Sequence, residues 1–93
     1  MVDVEHVEGK DKGKVFLYAL STCIWCRKTK KLLDSLGIEY SYVFMDNLDE
    51  KEKDKRMEEL EKLNPRCSFP TLVINDEKVI VGFKEDEIKK EIG

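Results

Sequence analysis

An unbroken apolar run, Val15-Phe16-Leu17-Tyr18-Ala19-Leu20, gives way within two residues to Cys23-Ile24-Trp25-Cys26 at the head of a helical pattern. A run with no polar member suits a central strand covered on both faces. Ser21 and Thr22 are helix-capping types. Beyond them Trp25, Thr29, Leu32, Leu33 and Leu36 recur at helical spacing until Gly37 offers a left-handed stop. In residues 39–45, Tyr40, Tyr42 and Phe44 alternate with Ser41, Val43 and Met45, the pattern of a second strand parallel to the first. Strand, helix and strand over so short a stretch make a βαβ unit, whose crossover is right-handed.

The rest of the chain extends this unit. Residues 46–64 are dense in charge, with Met57, Leu60 and Leu63 as a narrow apolar stripe, which predicts a surface helix ended by Pro65. Its interleaved signs read as a solvated face rather than a binding patch. Residues 71–74 and 79–81 are short apolar runs joined by the polar turn Asn75-Asp76-Glu77-Lys78, an antiparallel hairpin. Gly82 breaks the second run, and from Glu85 onward Ile88 and Ile92 mark a closing amphipathic helix. The element order is β-α-β-α-β-β-α, an α/β fold.

Ninety-three residues, 41% of them hydrophobic, can close one modest core but not two. Residues 1–14 are charged and lack an apolar period, so they are expected to form a flexible or loosely docked arm before a domain spanning residues 15–93. With 17 basic against 20 acidic side chains the net charge is -3, which gives no strong field for nucleic acid or an anionic membrane. No apolar run approaches a membrane span, and residues 1–14 lack the apolar stretch of a secretory signal, so a cytoplasmic location is expected. Three cysteines, only two of them close in sequence, do not suit a secreted disulfide scaffold and fit a reducing compartment.

Where a strand ends and a helix begins, unpaired backbone N–H groups and the helix dipole favour negative charge. Cys23 lies at that junction, so its pKa is expected to fall and its reactive thiolate fraction to rise, with Arg27, Lys28 and Lys30 nearby. Cys26 lies one turn further on, within reach of a mixed disulfide at Cys23. Cys23 is therefore assigned as nucleophile, and Cys26, more buried by the helix, as resolving thiol. Ile24 and Trp25 between them tune exposure and potential. The competing reading of a Cys-x-x-Cys pair is half of a zinc site, for which only Cys67 and His6 remain as further ligands. His6, alone in the arm, reads as a solvated side chain, and no metal site is assigned. Pro70 is either strand punctuation or the proline of a specific cis loop beside the dithiol. Cys67, three residues before Pro70, is either incidental or, if exposed, a site for glutathionylation or intermolecular disulfides.

As a set, these residues resemble the glutaredoxin branch of the thioredoxin superfamily across most of the chain beyond the arm. The carriers are Cys23-Ile24-Trp25-Cys26, Leu36-Gly37-Ile38-Glu39-Tyr40, Phe69-Pro70 and Val81-Gly82-Phe83. The resemblance implies a thioredoxin-like, four-stranded mixed sheet in the order 2-1-3-4 with three helices. It also implies a dithiol oxidoreductase that reduces protein or mixed disulfides. It implies a cis Pro70, with the backbone of Phe69 pairing with a bound thiol substrate like a short strand. Trp25, Gly82 and Phe83 join this substrate-binding set, and Arg66, Glu85 and Asp86 match positions that hold the ends of glutathione in glutaredoxins. Glutaredoxins commonly carry Pro-Tyr between the cysteines, a basic residue three before the first, and paired glycines before the last helix. Here stand Ile24-Trp25, Leu20 and Gly82-Phe83, and the Gly-Phe pair looks more like the redoxins that serve ribonucleotide reductase. The resemblance thus implies no tightly bound cofactor, and reduction by glutathione, another small thiol or a flavin-dependent thioredoxin reductase. The partners are disulfide-containing proteins, and the chain is expected to act as a monomer. An alternative from the same family is an iron-sulfur or metal carrier module.

Overall fold

The structure is a computed structural model, described here for residues 4–92. Its elements run β1 (Glu5–Val7), β2 (Val15–Ala19), α1 (Ile24–Ser35), β3 (Tyr40–Phe44), a single 3-10 turn (Met45–Asn47), α2 (Glu50–Leu63), β4 (Thr71–Ile74), β5 (Lys78–Val81) and α3 (Glu85–Ile92). The sheet order is β1-β3-β2-β4-β5. β2 pairs parallel with β3 and antiparallel with β4, and β4 pairs antiparallel with β5, so the sheet is mixed.

The alternation of side chains along these strands divides the core into two halves, one on each face of the sheet. Val15, Leu17 and Ala19 of β2, with Tyr40, Leu72, Ile74 and Ile80, meet Leu32 and Leu33 of α1 and Ile88 and Ile92 of α3 on one face. Tyr18, Val43 and Val73, on the opposite parity, meet Leu60 of α2 on the other, with Met57 and Leu63 against them. The sheet therefore lies between α1 and α3 on one side and α2 on the other. β2, buried on both faces, is the central strand that its unbroken apolar run predicted.

The predicted four strands keep their expected order, but the sheet has a fifth, and it comes from the segment expected to be a loose arm. β1 pairs antiparallel with β3, Glu5 opposite Tyr42 and Val7 opposite Tyr40. Beyond it, Lys10 N–H donates to the Gly37 carbonyl and its own carbonyl accepts from Glu39 N–H, each at 2.9 Å. Gly9 permits this closeness, since a Cβ there would fall 2.6 Å from the Ile38 carbonyl carbon. Residues 1–3, the start of the expected arm, lie outside the described residues.

Helix ends follow local chemistry. α1 stops where Gly37 takes φ +66°, its N–H donating to the Asp34 carbonyl at 3.1 Å, as the left-handed stop predicted. The expected helix of residues 46–64 is shorter at its start: Asp49 caps it, accepting from Glu52 N–H at 2.9 Å, and residues 45–47 form the separate 3-10 turn. In the hairpin, Asn75 and Asp76 take φ of 54° and 57°, conformations that Asn and Asp tolerate.

Candidate active site

The carboxyl ends of the parallel neighbours β2 and β3 emerge side by side, and the connection from β2 to α1 carries the dithiol. A tight turn first reverses the chain, Cys23 N–H donating to the Leu20 carbonyl at 3.2 Å. The cap is not Ser21 or Thr22 but Cys23 itself. Its backbone is extended (φ -85°, ψ 121°), its Sγ accepts from Cys26 N–H at 3.3 Å, and its carbonyl accepts the Arg27 N–H at 3.1 Å. The sulfur thus occupies the place of a capping oxygen, where a helix start stabilises negative charge.

The two thiols are held in unequal states. Partial burial raises the Cys23 thiol, but hydrogen bonds from the Cys26 thiol and from the N–H groups of Cys26 and Trp25 outweigh it and hold the pKa below the ordinary thiol value. Cys26 is fully buried in the core under α1. That burial, reinforced by its hydrogen bond to Cys23, pushes its thiol up to about 12, against the opposing Leu20 N–H, which donates to Cys26 Sγ at 3.4 Å. Hydrogen bonds favour the anion at one sulfur, while burial favours the thiol at the other. All three cysteines are free thiols.

Around the dithiol stand some of the residues expected from the sequence. Ile24 and Trp25, between the cysteines, are 62% and 52% exposed and are the large hydrophobics that most face solvent among the described residues. Trp25 stacks on Phe83, ring centroids 6.1 Å apart, and Lys28 Nζ lies 4.7 Å over the indole. The Phe69–Pro70 peptide is cis, and the Pro70 carbonyl accepts Gly82 N–H at 2.8 Å, which joins the proline loop to the end of β5. Phe69 is half-buried against both halves of the core. Glu85 and Asp86 open α3, Glu85 lining a groove with Phe83 and pairing with Lys89 at 3.8 Å. Arg66 is exposed, with its N–H on Asn64 Oδ1 at 3.3 Å. Cys67 packs on the α2 side of the sheet, against the core of Tyr18, Val43 and Leu60. His6 bonds Ser41 Oγ at 2.9 Å on the sheet edge, 3.7 Å from Glu39.

Two supports of the site do not show in the sequence. Asp46 accepts from Ser21 and so fastens the turn before Cys23, but its place in a charged run gave no signal. Asn64, buried, donates to Thr71 Oγ1 at 3.1 Å and Ser68 Oγ at 3.2 Å, and its carbonyl accepts Cys67 N–H at 2.8 Å. With Thr71 Oγ1 donating to the Ser68 carbonyl at 2.7 Å, this network fixes both ends of the Phe69–Pro70 loop. An Asn just before Pro65 was the available signal.

Comparison with known proteins agrees with this geometry. The glutaredoxin family profile matches residues 15–79. A glutaredoxin-like 8.6 kDa protein in the rubredoxin operon of Clostridium pasteurianum is 37% identical over 74 residues, 80% of this chain and 91% of that one. Among solved structures, the glutaredoxin of Methanosarcina mazei Go1 superposes with TM-score 0.89 at 54% identity, covering 99% of this chain and 89% of the other. The methanoredoxin of Methanosarcina acetivorans does so with TM-score 0.89 at 53% identity, covering 91% and 90%. The fold, the family match and the adjacent thiols support thiol-disulfide oxidoreductase chemistry in general. This chain belongs to the glutaredoxin family.

Proposed function

We propose that the protein is a dithiol reductase of protein disulfides and mixed disulfides. The observation that carries this reading is the inequality of the two sulfurs: Cys23 caps α1 and is stabilised as thiolate, while Cys26, one turn on and fully buried, stays protonated. The Cys23 thiolate attacks one sulfur of the substrate disulfide, which breaks the S–S bond, forms a mixed disulfide and expels the first substrate thiolate. With Cys23 now neutral, burial still favours the Cys26 thiol, but the charge and hydrogen bond of Cys23 that reinforced it are gone. Cys26 gives its proton to a released thiolate and attacks the Cys23 sulfur, so a Cys23–Cys26 disulfide forms and the second substrate sulfur leaves. Two electrons pass from the dithiol to the substrate, with no bound cofactor needed for the exchange.

The return electrons come, in this reading, from a low-molecular-weight thiol such as glutathione or from a flavin-dependent reductase. The rubredoxin-operon setting of the Clostridium relative fits a redox carrier. Trp25, Phe69, Pro70, Gly82 and Phe83 form the rim that meets substrate, and Arg66, Glu85 and Asp86 are carried only by their match to glutathione-binding positions. We place the activity in a reducing cytoplasm and in a monomer. The test is a reductase assay on a protein disulfide with a small thiol and with a thioredoxin reductase as alternative electron sources. Cys23→Ser is expected to abolish turnover, and Cys26→Ser to accumulate a mixed disulfide at Cys23 detectable by mass. Equal residual turnover in both variants would overturn the assignment.

A further inference from the structure

The dithiol helix differs in charge from the protein that carries it. The chain as a whole has net charge -3, yet α1 bears Arg27, Lys28, Lys30 and Lys31 against Asp34 alone. Asp34 is taken by Lys30 at 3.1 Å. Among the described residues Arg27, Lys28 and Lys31 make no ion pair, the Arg27 Nε instead donating to the Ser21 carbonyl at 3.1 Å. Lys28 and Lys31 line a shallow groove of about 410 Å³ between α1 and α3, whose floor and far wall are Leu32, Ser35, Phe83 and Glu85. The groove begins beside the Trp25–Phe83 stack and so continues the apolar rim of the dithiol.

We propose that this groove docks a substrate segment that carries an apolar residue next to its disulfide and acidic residues a few positions further along. The inference rests on the reductase reading and names the substrate class. An apolar side chain adjoining the substrate cysteine covers the exposed faces of Ile24 and Trp25, which otherwise leave apolar surface in water. The spacing follows from helix geometry. From Cys23 to Lys31 the axis rises about 12 Å at 1.5 Å per residue. An extended chain covers that in about four residues at roughly 3.3 Å each. Acidic side chains about three to five positions from the cysteine therefore reach Lys28 and Lys31. A small disulfide is too short to touch Lys31 while its sulfur is at Cys23. Glu85 on the opposite wall sets the sign on one side only: it repels an acidic residue that strays toward α3 and holds the segment against α1.

The test uses mixed disulfides of three synthetic peptides, Cys-Ala-Leu followed by Glu-Glu, Gln-Gln or Lys-Lys, and neutral 2-hydroxyethyl disulfide, each mixed with the reduced protein at low salt. The expected order of peptide thiol release is Glu-Glu over Gln-Gln over Lys-Lys, with about a three- to tenfold spread per step, as exposed charge pairs give. Lys31→Glu is expected to reverse the order while leaving hydroxyethyl disulfide unchanged, and 0.5 M salt to collapse the spread. Equal rates for all three peptides, or a Lys31→Glu loss shared by hydroxyethyl disulfide, would overturn it. Docking is also read without chemistry. Trp25 is the single tryptophan, so its emission reports binding of the same peptides with Ser in place of Cys. Preferential binding of the acidic Ser peptide with no reduction of any disulfide would sink the reductase reading and keep the docking site. A response to phosphatidylserine vesicles with no peptide preference would assign the patch to a membrane surface and overturn the docking site.

Discussion

Asp46 holds Ser21 twice, its Oδ1 accepting the Ser21 N–H at 2.9 Å and its Oδ2 the Ser21 hydroxyl. Ser21 stands directly after Leu20, whose N–H donates to the buried Cys26 sulfur, and two residues before the capping Cys23. Because β2 and β3 are parallel neighbours, their carboxyl ends lie together, and a carboxylate just past β3 reaches the turn just past β2. Asp46 is thus a positioning residue for the turn that sets both sulfurs. Asp46→Ala is expected to lower stability at pH 7 by about 1 kcal/mol, a partly exposed pair of hydrogen bonds being worth no more. The hydrogen bonds from Ser21 hold the Asp46 carboxyl below its ordinary value, so its contribution is full above the unfolded pKa of about 4 and fades as pH falls through the folded one. Urea melts should show the gap between wild type and variant closing between pH 7 and pH 2, and a constant gap would exclude the charged bonds as its source.

Cys26 stabilises the Cys23 thiolate by donating its S–H, a bond a methyl group cannot make. Cys26→Ala should move the pH midpoint of iodoacetamide alkylation at Cys23 upward while leaving the backbone donors in place. In wild type the same reagent should modify Cys23 well before Cys26 at pH 7. An unmoved midpoint would mean that the N–H groups of Trp25 and Cys26 alone set the thiolate.

Legibility in the sequence tracks how local each feature is. The βαβ unit shows plainly because Val15 to Leu20 is apolar on both parities and Gly37 closes the helix by its own backbone freedom. The dithiol at its junction follows from the same reading. β1 does not show, because of Glu5, His6 and Val7 only Val7 packs on the main core and the docking depends on Gly9 lying against Ile38, a contact remote in sequence. The true cap does not show, since Ser21 and Thr22 are the usual capping types, whereas a cysteine sulfur takes that role only when the chain turns as it does here. Asp46 was hidden among charges that elsewhere face solvent.

Asn64 joins the end of α2 to the proline loop through one buried side chain. Asn64→Ala leaves Thr71 Oγ1, Ser68 Oγ and the Arg66 N–H short of a partner, at a cost of about 1–3 kcal/mol. Thermal or urea unfolding measures the loss. Because the loop carries Phe69 and Pro70, the KM for a protein disulfide should rise more than that for hydroxyethyl disulfide.

Gly9 tests whether the first strand is a working part of the sheet. A Cβ at this position meets the Ile38 carbonyl carbon and oxygen at 2.6 Å, and backbone cannot yield as a side chain tip can. Gly9→Ala is therefore expected to push Lys10 away from Gly37 and Glu39, break both 2.9 Å hydrogen bonds and free β1, at about 1–3 kcal/mol. Hydrogen exchange should speed at the amides of Lys10 and Glu39 while those of Leu17 and Leu72, on the central strands, keep their protection. β1 lies at the sheet edge beyond β3, and the dithiol turn springs from β2, so reduction of hydroxyethyl disulfide should survive the change. Loss of that activity along with β1 would show that the edge strand holds β3, and through Asp46 the turn before Cys23, in register.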